Sequence, residues 1–250
     1  MIDVVARLQR AGCVAAEEEA VALRAAATDD VALEAAVRRR EGGEPLAWIT
    51  GTARFCGHDV RVTRGVYVPR PQTEVLARRA AALLATSTST PRRAVDLCTG
   101  SGAIAHHLAQ TVPDATVVGV DIDDDAVACA RANGVLAVRG ALGTALRNSA
   151  FDVVTAVAPY VPTGQLHLLP ADVQWHEPRR ALDGGDDGLD VVRAVVEDAA
   201  RLLRPGGWLL IEVGGDQDAA LRDTCTAHGF DALDAWRDDE GDLRGIAVRR

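Results

Sequence analysis

The hydrophobic positions change their period along the chain. From residue 1 to about 40 they recur at helical spacing, with Val4, Val5, Leu8, Val21, Leu23, Val31, Leu33 and Val37 set among Ala, Arg and Glu. Asp29 or Asp30 is placed to cap the second of these helices, and Gly42-Gly43 with Pro45 ends it. The stretch that follows is turn-rich, and its aromatics Trp48 and Phe55 are expected in the core or at a contact between domains. A small hairpin is predicted here, pairing Asp59–Val62 with Val66–Val68 across Arg64-Gly65. A helix over Val75–Ala85 begins near Thr73, and a polar linker from Thr86 to Pro91 leads onward.

From Arg93 short apolar runs alternate with amphipathic stretches. The spacing predicts strands over 94–98, 116–121, 135–139 and 151–157, with helices over 103–111 and 123–132. A loop across 161–186 leads to a helix over 187–203, then a strand over 208–213 and a helix over 217–228. The final strands, 230–236 and 243–249, flank the polar turn Asp238–Asp242 and are expected to be antiparallel. Such alternation makes an α/β fold with a mostly parallel sheet and helices on both faces. Its ligand sits over the carboxyl ends of the strands. That edge gathers Cys98 to Gly102, Asp121, the end of strand 135–139 and Val157 to Tyr160.

The candidate chemistry starts at the turn Asp96-Leu-Cys98-Thr99-Gly100-Ser101-Gly102. Glycines at 100 and 102 permit a tight turn, and the helix behind them leaves free N–H groups facing whatever lies above. Asp121 ends the next strand, with Ile122 after it, at a spacing that suits a carboxylate accepting ribose hydroxyls. A bare Gly-x-Gly is also consistent with a purely structural turn. Two details favour S-adenosylmethionine over a dinucleotide. The third glycine of the dinucleotide fingerprint is absent, and Asp96 lies where a cationic ligand tolerates it and a pyrophosphate does not.

Composition narrows the classes. The chain is 250 residues long, 48% hydrophobic and 25% charged, which is ordinary for a globular protein with a proper core. A net charge of −9, with all 27 basic residues being Arg and none forming a stripe, argues against extended nucleic-acid binding. The five cysteines are scattered and read as free thiols of a reducing compartment. The six histidines show no metal spacing; His106 and His107, being adjacent, are expected on different sides of their helix. No apolar run reaches the ~18 residues of a membrane span, and no signal peptide is evident, so a cytoplasmic protein is expected.

An ordered set of motifs makes a family resemblance specific. It comprises Gly43-Glu-Pro-Leu with Gly51 and Phe55, Val68-Pro-Arg-Pro-Gln-Thr-Glu74, the Asp96 glycine turn and Val120-Asp-Ile122. It continues with Ala158-Pro-Tyr-Val-Pro, Glu177-Pro-Arg with Ala181-Leu-Asp-Gly-Gly, and Leu203-Arg-Pro-Gly-Gly. Over most of its length the chain resembles the protein-(glutamine-N5) methyltransferases, which modify class 1 release factors or a ribosomal protein. The resemblance implies a class I methyltransferase (Rossmann-like) domain over 92–250, a hairpin and linker over 58–91, and an N-terminal helical domain over 1–57 that docks a protein substrate. It also implies that Cys98, Thr99, Gly100, Ser101 and Gly102 hold the methionine part of S-adenosylmethionine and Asp121 its ribose. Leu142 then lies near adenine, Ile122 and Val157 also border the cofactor, and Val157, Ala158, Pro159 and Tyr160 present the nucleophile.

The sequence departs from that family at informative points. Family members end this strand in Asn-Pro-Pro-Tyr, where the Asn side-chain oxygen and the next carbonyl accept the substrate amide's N–H groups. Here those positions are Val157 and Ala158, and valine accepts nothing, a loss of roughly 1–3 kcal/mol for a buried amide. Ala141 stands where an acid usually faces the adenine amine, the 133–141 segment is short, and Gln72 replaces a common acid. These losses motivate a second reading, a catalytically impaired relative that binds or regulates. A nucleic-acid methyltransferase shares the strand-end motif, but the acidic charge and missing basic stripe speak against it.

Overall fold

The computed structural model describes residues 3–231 and 233–250. Its N-terminal segment folds as α1 (Val4–Arg10), α2 (Ala16–Ala26), α3 (Asp30–Glu41) and α4 (Leu46–Thr50). Asp3 and Asp29 cap α1 and α3 by accepting from Ala6 N at 3.0 Å and Ala32 N at 2.7 Å. Val4, Leu8, Leu23 and Val37 bury against one another, so the expected periodicity becomes a small core of its own. Residues 1 and 2 of the expected helical stretch lie outside the described residues.

The hairpin forms earlier than the sequence predicts. Strand β1 (Thr52–Phe55) pairs with β2 (His58–Arg61), Phe55 opposite His58, around Cys56-Gly57. Both turn residues have positive φ, 48° and 80°, the geometry of a two-residue hairpin turn. The expected partner strand is drawn elsewhere: Val66 packs on Ala126 and Cys129, and its carbonyl accepts from Trp48 Nε1 at 2.9 Å. The hairpin thus crosses the domain boundary expected at residue 57. Phe55 and Trp48 are buried as expected.

Beyond a 3₁₀ turn at Pro71–Thr73 and helix α5 (Glu74–Thr86), the alternating part follows the predicted order. It runs β3 (Arg93–Leu97), α6 (Ala103–Thr111), β4 (Thr116–Asp121), α7 (Asp124–Ala132), β5 (Leu136–Arg139) and β6 (Phe151–Ala156). The expected 161–186 loop carries 3₁₀ turns at 163–168 and 179–181 and helix α8 (Ala171–His176). Then come α9 (Asp190–Leu202), β7 (Leu203–Ile211), α10 (Gln217–Ala227), β8 (Asp234–Arg237) and β9 (Leu243–Arg249). Strand β7 starts five residues before its expected position because Leu203 pairs with Phe151, and the ladder slips between Phe151 and Val153. Ala232, inside the expected 230–236 strand, lies outside the described residues.

The seven strands order as β5-β4-β3-β6-β7-β9-β8, parallel through β7 and antiparallel at β9 and β8. Strand alternation divides the core in two. Val154, Leu209 and Ile211 face Val195, Val196 and Leu202 of α9, whereas Val153 and Leu210 face Leu76 and Leu84 of α5 and Leu108 of α6. No helix among the described residues is long and apolar enough to cross a membrane.

The glycine turn is locked sterically. Gly102 has φ 79°, and a Cβ there would lie 2.9 Å from Ala130 Cβ and 3.0 Å from Val135 Cγ2. Gly134 has a similar φ of 77° but nothing within 4 Å. Gly102→Ala is therefore expected to cost about 3 kcal/mol, against about 1 kcal/mol for Gly134→Ala. Urea midpoints of the two variants check the difference.

Candidate active site

The carboxyl ends of β3 and β4 build the first wall. Thr99 N donates to Val120 O at 3.0 Å, which fixes the start of the glycine turn on β4. Gly119 makes the approach feasible, since a Cβ there would sit 2.8 Å from Thr99 Oγ1. Gly100 N and Asp123 N donate to Asp121 at 2.9 and 3.0 Å, so this half-buried carboxylate is held by two amides at the rim. Over Gly100 the space is open to 4 Å. Asn133 closes the far side, its Nδ2 donating to Ser101 O at 2.8 Å and to Arg61 O at 2.9 Å.

The other predicted residues of this wall differ in their access. Asp96 is buried beneath the turn, and its oxygens accept from Thr99 Oγ1 at 2.6 Å and Thr155 Oγ1 at 2.7 Å. Burial is the main cause raising its carboxyl to about 6. Cys98, at φ 56°, turns into the core, and burial pushes its thiol up. Leu142, at φ 52°, packs on the same core, and Ile122 is exposed.

The second wall is the end of β6. Two cavities meet there, and Val157 and Tyr67 line both. A small one of about 30 Å³ touches Thr73, Thr99, Gly100 and Ser101. The larger, about 370 Å³, touches Arg70, Gln72, Ala158 and Tyr160. Ala158 and Pro159 are buried and Tyr160 is half-buried. The Tyr160 hydroxyl donates to Glu212 Oε1 at 3.0 Å, and Thr73 Oγ1 donates to Glu212 Oε2 at 2.5 Å. Arg70 lies 4.9 Å over the Tyr67 ring and pairs with buried Glu177, so the Glu177-Pro178 segment is tied to the Pro-Arg-Pro segment. Of the predicted residues, Thr99, Gly100 and Ser101 meet Val157 in the small cavity, and Val157 meets Ala158 and Tyr160 in the larger; Gly102, Asp121 and Pro159 line neither of the two.

Sequence reasoning overlooked Tyr67, Thr155 and Glu212. Glu212 had a signal: like Asp96 and Asp121 it is an acid at the carboxyl end of an apolar strand. Thr155 had none, being one polar residue inside a buried run. The histidines also meet unexpectedly. His106 and His107 both reach the His58 ring, at centroid distances of 5.3 and 5.9 Å.

Comparison with known proteins gives this crevice its chemistry. A methyltransferase-domain family matches residues 94–174. The release factor glutamine methyltransferase of Moorella thermoacetica is 42% identical over 202 residues, 78% of this chain and 70% of that protein. Its counterpart in Thermodesulfovibrio yellowstonii is 32% identical over 225 residues, 87% of this chain and 81% of that protein. The chain belongs to the release factor glutamine methyltransferase family. Among solved structures, a methyltransferase from Pyrococcus furiosus aligns with a TM-score of 0.57 at 15% identity, over 86% of this chain and 96% of that one. A ribosomal protein L11 methylase from Lactobacillus delbrueckii subsp. bulgaricus gives 0.52 at 16%, over 76% and 83%. At such identities these two bear on the fold alone, which is that of class I methyltransferases.

As a member of this family the chain is an S-adenosylmethionine-dependent methyltransferase. Its crevice fits that cofactor chemically, with an amide-held carboxylate at the rim, open space over Gly100 and a buried acid beneath. A cation held over Asp96 is expected to bind in a pH-dependent way. Below about 6 its carboxyl is neutral, so its attraction for a cationic ligand is present above that pH and fades as pH falls through it. Affinity for S-adenosylmethionine is expected to drop about tenfold from pH 7.5 to 5.5. Isothermal titration across that range checks this, and Asp96→Asn should flatten the profile.

Proposed function

We propose that this chain methylates the side-chain amide nitrogen of a glutamine in a protein, a peptide chain release factor of the cytoplasm. The observation that carries this reading is the meeting of the two cavities at Val157, one against the glycine turn and one open enough for a side-chain amide. In it Thr99 to Gly102, with Cys98 and Asp96 behind them, hold the methionine end of the cofactor. Asp121 accepts from the ribose hydroxyls, and Ile122 and Leu142 flank the adenine. The bound cofactor supplies a sulfonium methyl group.

The protein's task is to aim a poor nucleophile, since an amide nitrogen shares its lone pair with the carbonyl. Orientation and fixed dipoles supply the gain. The Ala158 carbonyl accepts one amide N–H, and Tyr160 and Tyr67 wall the pocket, with the buried Pro159 between Ala158 and Tyr160. Helices α1–α4 form the docking module for the protein substrate. Purified chain with methyl-labelled cofactor and a release factor should yield label on a glutamine.

Val157 favours a second reading, a fold that binds cofactor without turnover. Calorimetry separates the two, because tight cofactor binding with no labelled product supports only the second.

A further inference from the structure

Val157 leaves the substrate amide one acceptor short, and the adjoining wall of the same cavity holds a replacement. A phenol has one proton, so a Tyr whose hydroxyl already donates can offer only lone pairs to anything else. Tyr160 is in that state, its hydroxyl donating to Glu212 Oε1 at 3.0 Å. Glu212 is 2% exposed, and its second oxygen is taken by the Thr73 hydroxyl. Its backbone N donates to Ala156 O at 3.1 Å, one residue before Val157. The Tyr160 carbonyl is held in turn by Gln217 Nε2 at 2.9 Å. The hydroxyl and the backbone of Tyr160 are therefore both held, in a residue that lines the same cavity as Val157.

We propose that Tyr160 Oη accepts the N–H of the substrate glutamine amide in place of the side chain absent at 157, and that Glu212 is the positioning residue that commits Tyr160 to accepting. Tyr67 shares the cavity but faces the Arg70 guanidinium, a donor, and so has no such commitment. Burial and the nearby Glu212 charge push the Tyr160 phenol well up, which keeps its proton in place for Glu212 at neutral pH. The reaction balances without further reagents. The amide lone pair forms the new N–C bond, the electrons of the broken C–S bond remain on sulfur, and the nitrogen releases one proton to water. Tyr160 and Glu212 neither gain nor lose a proton.

The inference rests on the glutamine-amide reading, and one set of variants separates the two. Wild type, Tyr160→Phe, Glu212→Gln, Val157→Asn and the double variant Val157→Asn/Tyr160→Phe are assayed for label transfer to purified release factor, with cofactor affinity measured by calorimetry. Tyr160→Phe is expected to lower kcat ~10- to 100-fold and Glu212→Gln about tenfold, each with cofactor Kd changed less than about twofold. Adding Val157→Asn to Tyr160→Phe should recover about tenfold or more, a rescue that a merely structural Tyr160 would not show. A Tyr160→Phe enzyme as fast as wild type, or one that Val157→Asn fails to rescue, overturns the acceptor role and leaves the methylation reading standing. A silent wild type beside an active Val157→Asn does the same. If neither methylates a release factor, the glutamine reading falls and this inference with it.

Discussion

Val157→Asn raises the rate of glutamine methylation ~10- to 100-fold in a Tyr160→Phe background, with little change in the affinity for cofactor. The size follows from one added hydrogen bond to a desolvated amide, about 1–3 kcal/mol, realised mainly when the nitrogen lone pair must be aimed. The site admits the change. Val157 lines both cavities and is only partly buried, so an Asn of similar volume replaces it without opening a hole in the core. The backbone that would hold the new amide is already fixed, because Ala156 O accepts from Glu212 N and Ala158 is buried. Single-turnover kinetics with saturating cofactor measure the effect directly. A double variant no faster than Tyr160→Phe alone would mean that the amide does not approach residue 157.

Much of this crevice was legible because it depends on short-range rules. The glycine turn, the acid ending β4 and the order of strands and helices all follow from local spacing, and the structure holds them where that spacing puts them. What was not legible depends on contacts far apart in sequence. The hairpin was placed too late because nothing local shows that Val66 is claimed by Ala126 and Cys129. Likewise, no local pattern announces that Thr73 and Tyr160 converge on Glu212, separated from them by 139 and 52 residues. Asp96 shows the limit within a correct choice of residue. Its type and position suited a cation, yet only the fold reveals that two threonine hydroxyls cover it.

Asp121→Ala is expected to weaken S-adenosylmethionine binding ~100-fold or more while leaving the fold intact. A carboxylate gripping two ribose hydroxyls makes charge-assisted hydrogen bonds of about 1.5–3 kcal/mol each, and their loss falls wholly on the bound state. The cost to the free protein is small by comparison. Asp121 is half-buried at the rim, and water can replace its oxygens on Gly100 N and Asp123 N. Asp121→Asn is the sharper variant, because its shape is conserved and its charge is not. Both present oxygens face backbone donors, so the amide must turn its NH₂ toward either Gly100 N or Asp123 N, two donors confronting each other. Asn should therefore recover less than about tenfold of the loss. Thermal denaturation with and without cofactor reads both effects: the unliganded midpoints stay close to wild type, and the rise that cofactor gives the wild type disappears. A variant that keeps the wild-type rise would move the ribose away from Asp121.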